Sequence, residues 1–255
     1  MVTKFNSYIL SLAYAFIDNM EKLNKIVWDS VFRKEGKVFI SPQEDMTKTI
    51  KLFKKFNVKR VLDLGCGSGR HLVYLAKHGF DVYGFDIAKH GIKIAREWLK
   101  KEKFKSSLKV GDIYGKLPYG DNFFDAIISV QSVHHGKIEW IRKCIKEMKR
   151  ILKPDGLVFI TVRKHVAKKY LPKDKIYGIK YIAPRTYIIL GGQEKGMPHY
   201  RFNKKILRKE FNEFKIRDMW IDSKSHHYCL LAQLINKHSW KIWLKIIFKR
   251  ETVKF

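Results

Sequence analysis

The chain is poor in cysteine, proline and acidic residues, and it has no long apolar run. Three cysteines and six prolines occur in 255 residues. The cysteines are far apart and form neither a metal-ligand spacing nor an even-numbered framework, which excludes a disulfide scaffold and predicts a reducing, cytoplasmic compartment. The apolar segment 8–17 is too short to span a bilayer and lacks a cleavage site after it. We interpret it as part of an N-terminal packing helix rather than a signal peptide.

The shortage of acidic residues leaves a large positive charge. The chain has 53 basic and 24 acidic residues, which makes a formal net charge of +29. Such a field attracts anions, including nucleic acid and acidic lipid headgroups. A general bias towards lysine explains the same excess, and lysine-rich surfaces occur in heat-adapted proteins. Both explanations stay open, because net charge bears on association and not on fold.

Hydrophobic patterning divides the chain near residue 58. Residues 1–57 are predicted to form a helical addition, in which one helix starts at Pro42, with Ser41 as its N-cap, and runs towards Phe56. Beyond it, near-continuous apolar strands alternate with amphipathic helices, which indicates a parallel sheet covered on both faces. The predicted strands are Val58–Leu64, Asp81–Phe85, Leu108–Val110, Phe123–Val130 and Leu157–Val162, and the clearest helices are Ala88–Lys101 and Lys137–Leu152.

The second half of the chain breaks this rhythm. Residues 163–202 lack clear periodicity, which is typical of a lid or binding insertion. A helix is predicted at Asn203–Phe211, followed by strands at Phe214–Ile221 and His227–Ile235 that could pair antiparallel at the sheet edge. Residues 237–255 predict a basic amphipathic helix. This helix either packs on the domain or in a homodimer, or docks on an anionic membrane surface, and the pattern leaves the oligomeric state open.

A glycine-rich loop follows the first predicted strand. Gly65, Gly67 and Gly69 allow a sharp turn and a close approach of a ligand to the backbone. The helix that starts near Gly69 presents free N–H groups suited to a carboxylate or a phosphate. Arg70 occupies the position at which the dinucleotide-binding pattern needs its third glycine, and no Gly-Lys-Ser/Thr follows. The dinucleotide-binding loop and the phosphate-binding loop that ends in Gly-Lys-Ser/Thr are therefore both excluded.

Acidic residues follow the next two strands. Asp86 ends the second strand, where a carboxylate could accept hydrogen bonds from both ribose hydroxyls of an adenosyl ligand. Gly111-Asp112-Ile113 follows the third strand. An acidic residue next to an apolar one can bind an adenine amino group and pack against its ring.

Residues 58–162 resemble the class I S-adenosylmethionine-dependent methyltransferases. The motifs that carry the resemblance occur in order: VLDLGCGSG at 61–69, GFD at 84–86, GDI at 111–113, LPYGDNFFDAIISVQSVHH at 117–135 and EMKRILKPDGLVFITV at 147–162. The resemblance implies an α/β, doubly wound and mostly parallel seven-stranded sheet with an antiparallel edge strand. The methyltransferase domain would then comprise residues 58–236, between helical N-terminal and C-terminal additions.

The resemblance also implies a role for each matched residue, with S-adenosylmethionine as the cofactor. The three glycines, with Cys66 packed among them, would line the methionine moiety, and Asp63 would hold its ammonium group. Asp86 would bind the ribose, and the adenine would lie between Ile87 and Ile113 with Asp112 on its amino group. Gln131 would face the sulfonium. The residues implied to bind the cofactor are Asp63, Gly65, Cys66, Gly67, Gly69, Asp86, Ile87, Asp112, Ile113 and Gln131.

Catalytic candidates lie where the strands end. His134 and His135 follow the fourth strand, and a histidine with a pKa near 6.5 is a plausible general base at neutral pH. His199 and Tyr200 belong to a Pro-His-Tyr motif similar to one in small-molecule methyltransferases. Arg185 and Arg201 would suit an anionic acceptor. For each of these residues a purely structural role stays open, and no metal site is predicted, since His226, His227 and Cys229 lack another suitably spaced ligand.

Two acceptor classes follow from these observations. The insertion at 163–202 favours methyl transfer to a small molecule in a closed pocket. The alternative is an RNA acceptor such as tRNA, favoured by the net charge of +29 and by the segment 132–135, which is similar to that of tRNA wobble-uridine methyltransferases. Phosphate contacts would then come from lysine and arginine side chains on one face.

Overall fold

The computed structural model describes residues 22–164 and 178–236. Three predicted features fall wholly or partly elsewhere: the apolar segment 8–17, the start of the insertion at 163–202, and the amphipathic helix at 237–255 lie outside the described residues. Within the described ranges, none of the helices has the length and hydrophobicity needed to cross a bilayer.

Two helices precede the sheet within the described residues. Helix α1 comprises the described residues 22–35, and α2 spans Met46–Lys55. The prediction that α2 starts at Pro42 with Ser41 as its cap is wrong, because the helix begins four positions later with Asp45 at the N-cap. The Gln43 side chain explains the delay: its Oε1 accepts from the Asp45 backbone N–H at 2.7 Å, and its Nε2 donates to the Asp45 carboxylate at 2.8 Å. These local bonds favour a turn over a helix.

In the part of the chain that the structure describes, ten strands and four further helices follow. The strands are β1 Arg60–Leu64, β2 Asp81–Asp86, β3 Ser106–Val110, β4 Phe124–Val130, β5 Leu152–Arg163, β6 Ile179–Ala183, β7 Thr186–Ile189, β8 Pro198–Tyr200, β9 Phe214–Ile221 and β10 His227–Leu234. The helices are α3 Arg70–Lys77, α4 Lys89–Lys101, α5 Ile138–Ile151 and α6 Lys204–Glu210. Helix α6 lies within the predicted Asn203–Phe211, and Asn203 caps it, since its side chain accepts from the N–H of Ile206.

Seven strands form one mixed sheet in the order β3-β2-β1-β4-β5-β10-β9. Strands β1 to β5 pair in parallel, whereas β10 is antiparallel to both of its neighbours and stands second from the edge. The predicted doubly wound, mostly parallel sheet with its antiparallel edge pair is therefore confirmed. The chain reverses its winding direction between β1 and β4, and the loops that follow those two strands meet at the crevice where such sheets bind ligands.

Each face of the sheet is covered by its own hydrophobic core. Alternate residues of a strand belong to opposite cores: Leu62 and Leu64 of β1 pack with α5 and α6, while Val61 packs with α2, α3 and α4. Burial on both faces explains why these strands show nearly continuous apolar runs rather than alternation.

Besides the start of α2, two features depart from the sequence prediction by more than two residues. Strand β5 starts at Leu152 instead of the predicted Leu157 and continues through the segment 154–156, whose Pro-Asp-Gly residues are typical of a turn. The turn residues are accommodated by a register shift opposite β4 and by a positive φ of 63° at Asp155. Within the predicted insertion, β6, β7 and β8 form a separate antiparallel sheet, whose strands are too short and irregular to show a period of two.

Candidate active site

The glycine loop after β1 makes its turn with left-handed backbone conformations. The φ angles of Gly65, Gly67 and Gly69 are +85°, +51° and +92°. A Cβ at Gly65 would lie 2.3 Å from Oγ of Ser132, and a Cβ at Gly69 would lie 2.8 Å from Cβ of Ala95. The loop therefore needs glycine for its backbone conformation and for close packing.

A cavity that is open to solvent lies at the crevice beside this loop. Of the predicted cofactor residues, eight line it: Gly65, Cys66, Gly67, Asp86, Ile87, Asp112, Ile113 and Gln131. The fold thus brings together residues from the ends of four strands.

The buried Asp86 and the half-buried Asp112 present carboxylates to this cavity. The oxygens of Asp86 accept from the backbone N–H groups of Gly67 and Ala88, each at 2.8 Å, and burial raises its pKa. Oδ1 of Asp112 accepts from Tyr114 N–H at 2.9 Å, and burial raises the pKa of Asp112 as well. An ionised carboxylate offers about four acceptor sites, so both residues retain capacity for a ligand's hydroxyl or amino groups.

Asp63 and Gly69 do not line the cavity. Asp63 is fully buried, neither of its carboxyl oxygens has a hydrogen-bond partner within the described chain, and burial raises its pKa to about 8. His71 lines the cavity, and its Nδ1 lies 3.8 Å from Oδ2 of Asp63. An unpartnered carboxyl group next to the glycine loop fits the predicted interaction with an ammonium group, directly or through water.

The neighbouring half of the cavity contains a cluster of histidines. His134 and His135 follow β4, His199 lies in β8 and His227 begins β10. The ring centroids of His134 and His135 are 4.3 Å apart, those of His135 and His199 are 4.8 Å apart, and those of His134 and His227 are 5.9 Å apart. Glu194, before β8, completes the group. Sequence analysis missed Glu194 and the contribution of His227. Glu194 lies five residues before His199 in a segment without clear periodicity, and His227 is far from the other members in the chain.

Burial sets the charge state of this cluster. It lowers the pKa of His135 to about 3 and that of His134 well below its usual range, so both rings are neutral near pH 7. The expectation of an ordinary histidine base is therefore corrected for these two residues, which act as hydrogen-bond acceptors and weak bases. Burial opposes ionisation of Glu194, but its side-chain contact with His199 and the nearby charge of Arg163 lower its pKa.

Three hydrogen bonds from other parts of the chain hold the backbone that carries His134 and His135. Asn24 Nδ2 in α1 donates to the carbonyl of His135 at 3.0 Å, and the Tyr200 backbone N–H donates to that of His134 at 2.8 Å. The hydroxyl of Tyr114 donates to the carbonyl of Val133 at 3.1 Å. The histidines are thereby positioned by α1 and the small sheet as well as by β4.

Helix α1 forms a wall of the cavity that sequence analysis did not foresee. Asn24, Trp28 and Phe32 line it at intervals of four residues, which places them on one helix face. The ring centroids of Trp28 and His135 are 5.3 Å apart. The four-residue spacing of Asn24, Trp28 and Phe32 could have indicated a shared helix face. It is hard to recognise in the sequence because polar residues lie between them.

Three other sequence candidates lie away from the cavity lining. Tyr200 packs against Phe202, with ring centroids 4.9 Å apart, and contributes its backbone rather than its hydroxyl. Arg201 is buried against Tyr187, and Arg185 donates to the Arg201 carbonyl. The arginine that lines the histidine half is instead Arg163, at the end of β5.

Comparisons with known proteins agree with this geometry. Residues 62–160 match the model of a methyltransferase domain. The chain is 32% identical to a ubiquinone biosynthesis O-methyltransferase of Pelagibacter ubique over 126 residues, 49% of this chain and 50% of that protein. It is 38% identical to a tRNA (carboxymethyluridine(34)-5-O)-methyltransferase of Arabidopsis thaliana over 103 residues, 40% of this chain and 23% of that protein.

Solved structures share the fold. The crystal structure of a Burkholderia thailandensis 1,6-didemethyltoxoflavin-N1-methyltransferase with bound S-adenosylhomocysteine superposes with a TM-score of 0.66 at 15% identity, covering 86% of this chain and 91% of that one. The chain spans about half or less of the length of the curated relatives it matches. Residues 62–160 thus match a methyltransferase domain, and the ordered motifs and the mostly parallel seven-stranded sheet make this chain similar to the class I S-adenosylmethionine-dependent methyltransferases.

Proposed function

We propose that this protein transfers a methyl group from S-adenosylmethionine to a small molecule held in the same cavity. One observation carries the proposal: residues of the glycine loop and the Asp86 and Asp112 carboxylates share a single cavity with the histidine cluster. Donor and acceptor would therefore lie side by side. Holding two reactants in a defined geometry is the main contribution an enzyme makes to a displacement of this kind.

The donor half is assigned to the residues that the cavity brings together. Asp86 would hold the ribose, Asp112 and Ile113 the adenine, and the glycine loop with Asp63 the amino acid end. When bound, S-adenosylmethionine supplies a methyl group on a sulfonium, which needs no activation by the protein. These side chains therefore bind and orient rather than react.

The acceptor half would be formed by the histidine cluster, Arg163 and helix α1. Trp28 and Phe32 supply an apolar wall that excludes water from the acceptor. The neutral rings of His134 and His135 can accept hydrogen bonds from an acceptor hydroxyl or amine, and thereby hold its lone pair towards the donor half. Arg163 would suit an acceptor that carries a carboxylate or phosphate, a role that sequence analysis had assigned to Arg185 and Arg201.

Calorimetry with S-adenosylhomocysteine tests the donor half. We expect the Asp86→Asn variant to bind about 10–100-fold more weakly, because hydrogen bonds to a charged group contribute about 1.5–3 kcal/mol and each 1.4 kcal/mol is about tenfold in affinity. Asp81→Asn is the matched control, since this carboxylate lies on the exposed start of the same strand. Equal affinity of Asp86→Asn and the unmodified protein would remove the basis of the proposal.

A tRNA acceptor is the second candidate, and the similarity to the tRNA (carboxymethyluridine(34)-5-O)-methyltransferase favours it. The two candidates separate in an assay that offers labelled donor with either a small-molecule extract or total tRNA. We expect label in the small-molecule fraction. Label confined to tRNA would overturn the small-molecule proposal and leave the donor assignment intact.

A further inference from the structure

Two histidines and one carboxylate converge in the acceptor half of the cavity. One nitrogen of His135, one nitrogen of His199 and one carboxylate oxygen of Glu194 all lie within 4.8 Å of one another. Both histidines are buried, and all three residues line the cavity. Two histidines with one glutamate are a ligand set found in catalytic zinc sites, which leave a further position open for water or substrate.

The hydrogen bonding of His199 leaves its second nitrogen facing the carboxylate. Nδ1 lies 2.9 Å from the carbonyl oxygen of Met197, which can only accept, so Nδ1 carries a proton. Nε2 lies 3.0 Å from Oε2 of Glu194. In a neutral imidazole this nitrogen has a lone pair, and two acceptors at this separation need a cation between them. A backbone carbonyl on the remote nitrogen is also the usual partner of a metal-binding histidine.

The third ligand distinguishes a metal ion from a shared proton. Nε2 of His135 lies 3.8 Å from Oε1 of Glu194, which is too long for a direct hydrogen bond. Zinc bonds of about 2.0–2.2 Å place neighbouring ligand atoms roughly 3–3.5 Å apart in a tetrahedron. The three donors lie within 4.8 Å of one another, so the widest separation would have to shorten by roughly 1.5 Å to place all three on one ion. A proton on His199 would satisfy one pair and leave His135 without a partner.

We propose that His135, Glu194 and His199 bind a divalent transition-metal ion such as zinc, with an open coordination position directed into the cavity. No metal site was predicted from the sequence, because the ligands come from the loop after β4, the turn before β8 and β8 itself. Arg163 also lines this half, and its charge opposes a cation. Glu194 offsets one positive charge, and an anionic acceptor would offset another.

The role of the ion rests on the proposed function, whereas its binding does not. An acceptor oxygen, nitrogen or sulfur atom at the open position would have its pKa lowered and would lose its proton to solvent near neutral pH.

Metal titration of the full chain tests the site. After removal of bound metal with a chelator, we expect the protein to take up one Zn²⁺ per chain, and Co²⁺ in its place to give the visible absorption of a low-coordinate site. Glu194→Gln and His199→Ala should each weaken binding by at least the 10–100-fold that even outer-shell changes cause. The His226→Ala variant, which removes an exposed histidine outside the cluster, should bind as tightly as the unmodified protein.

Two results would overturn the metal site. One is absence of Zn²⁺ uptake by protein that still binds S-adenosylhomocysteine, and the other is uptake that Glu194→Gln and His199→Ala leave unchanged. Calorimetry with S-adenosylhomocysteine on each variant verifies that it is folded. Because that ligand occupies the donor half, its binding also separates failure of the metal site from failure of the proposed function.

Discussion

Among individual residues, Asp63 has the least usual environment. Its buried carboxyl group has a pKa of about 8 and no hydrogen-bond partner within the described chain. The raised pKa means that the unliganded protein loses stability as pH rises from about 4 to about 8, because ionisation is then less favourable in the folded than in the unfolded state. A cationic ligand group beside Asp63 would favour the ionised carboxylate in the folded protein. Binding of such a ligand would therefore release a proton from Asp63.

We therefore expect the affinity for S-adenosylhomocysteine to rise between about pH 6 and about pH 8. If its ammonium group pairs with Asp63, binding releases a proton, and the dissociation constant falls by up to about tenfold per pH unit. Calorimetry in buffers of different ionisation enthalpy measures the proton release directly. Asp63→Asn should lose this pH dependence, and equal affinity of the unmodified protein at both pH values would contradict the assignment.

The other predicted cofactor residues show what a motif can specify. Asp86 and the glycines occupy the positions that the pattern requires, because the bounds of one strand and one tight turn determine them. Sequence analysis identified His134 and His135 as residues at the end of a strand, but it did not predict that their pKa values are lowered. Their pKa values depend on burial by α1 and the small sheet, which no local pattern encodes.

At the scale of elements, helix α1 packs closely against the glycine loop. A Cβ at Gly67 would lie 2.8 Å from Cζ of Phe32, a buried ring in α1. The loop therefore approaches the helix more closely than any residue other than glycine would allow. This contact makes the N-terminal segment part of the site wall.

A double-mutant cycle measures this contact. Gly67→Ala should be destabilising alone, through the steric clash and through a left-handed backbone cost of about 1–2 kcal/mol. In the Phe32→Ala background only the backbone cost should remain, which gives a coupling of about 1–2 kcal/mol in urea unfolding. Gly79→Ala is the control, because Gly79 has a φ of +87° but a Cβ added there would meet nothing within 4 Å. Additive effects of Gly67→Ala and Phe32→Ala would contradict this account.

At the scale of the whole molecule, the net charge of +29 predicts association with polyanions at low salt. This binding should be sequence-independent, and a protein that makes 6–10 phosphate contacts loses about 10³–10⁵ in affinity between 50 and 200 mM salt. Methylation of a small acceptor should change far less over that range, since the acceptor is enclosed in the cavity. Filter retention of tRNA and turnover can be measured in the same salt series.

A salt response shared by turnover and tRNA retention would favour the RNA candidate. Turnover that stays nearly constant while retention collapses would support the small molecule and assign the charge to general association. A tRNA with a native anticodon loop and a scrambled RNA of equal length are matched ligands, since they differ in shape and not in charge.

The amino-acid sequence by itself determined the parallel sheet, the order of its motifs and the residues proposed to bind the donor. Each of these depends on a short stretch of chain: an apolar strand, a glycine turn, or a carboxylate at a strand end. Only the tertiary structure decided the proposed acceptor half. There His135, Glu194 and His199 come together from separate elements, and burial rather than local sequence lowers the pKa of His135.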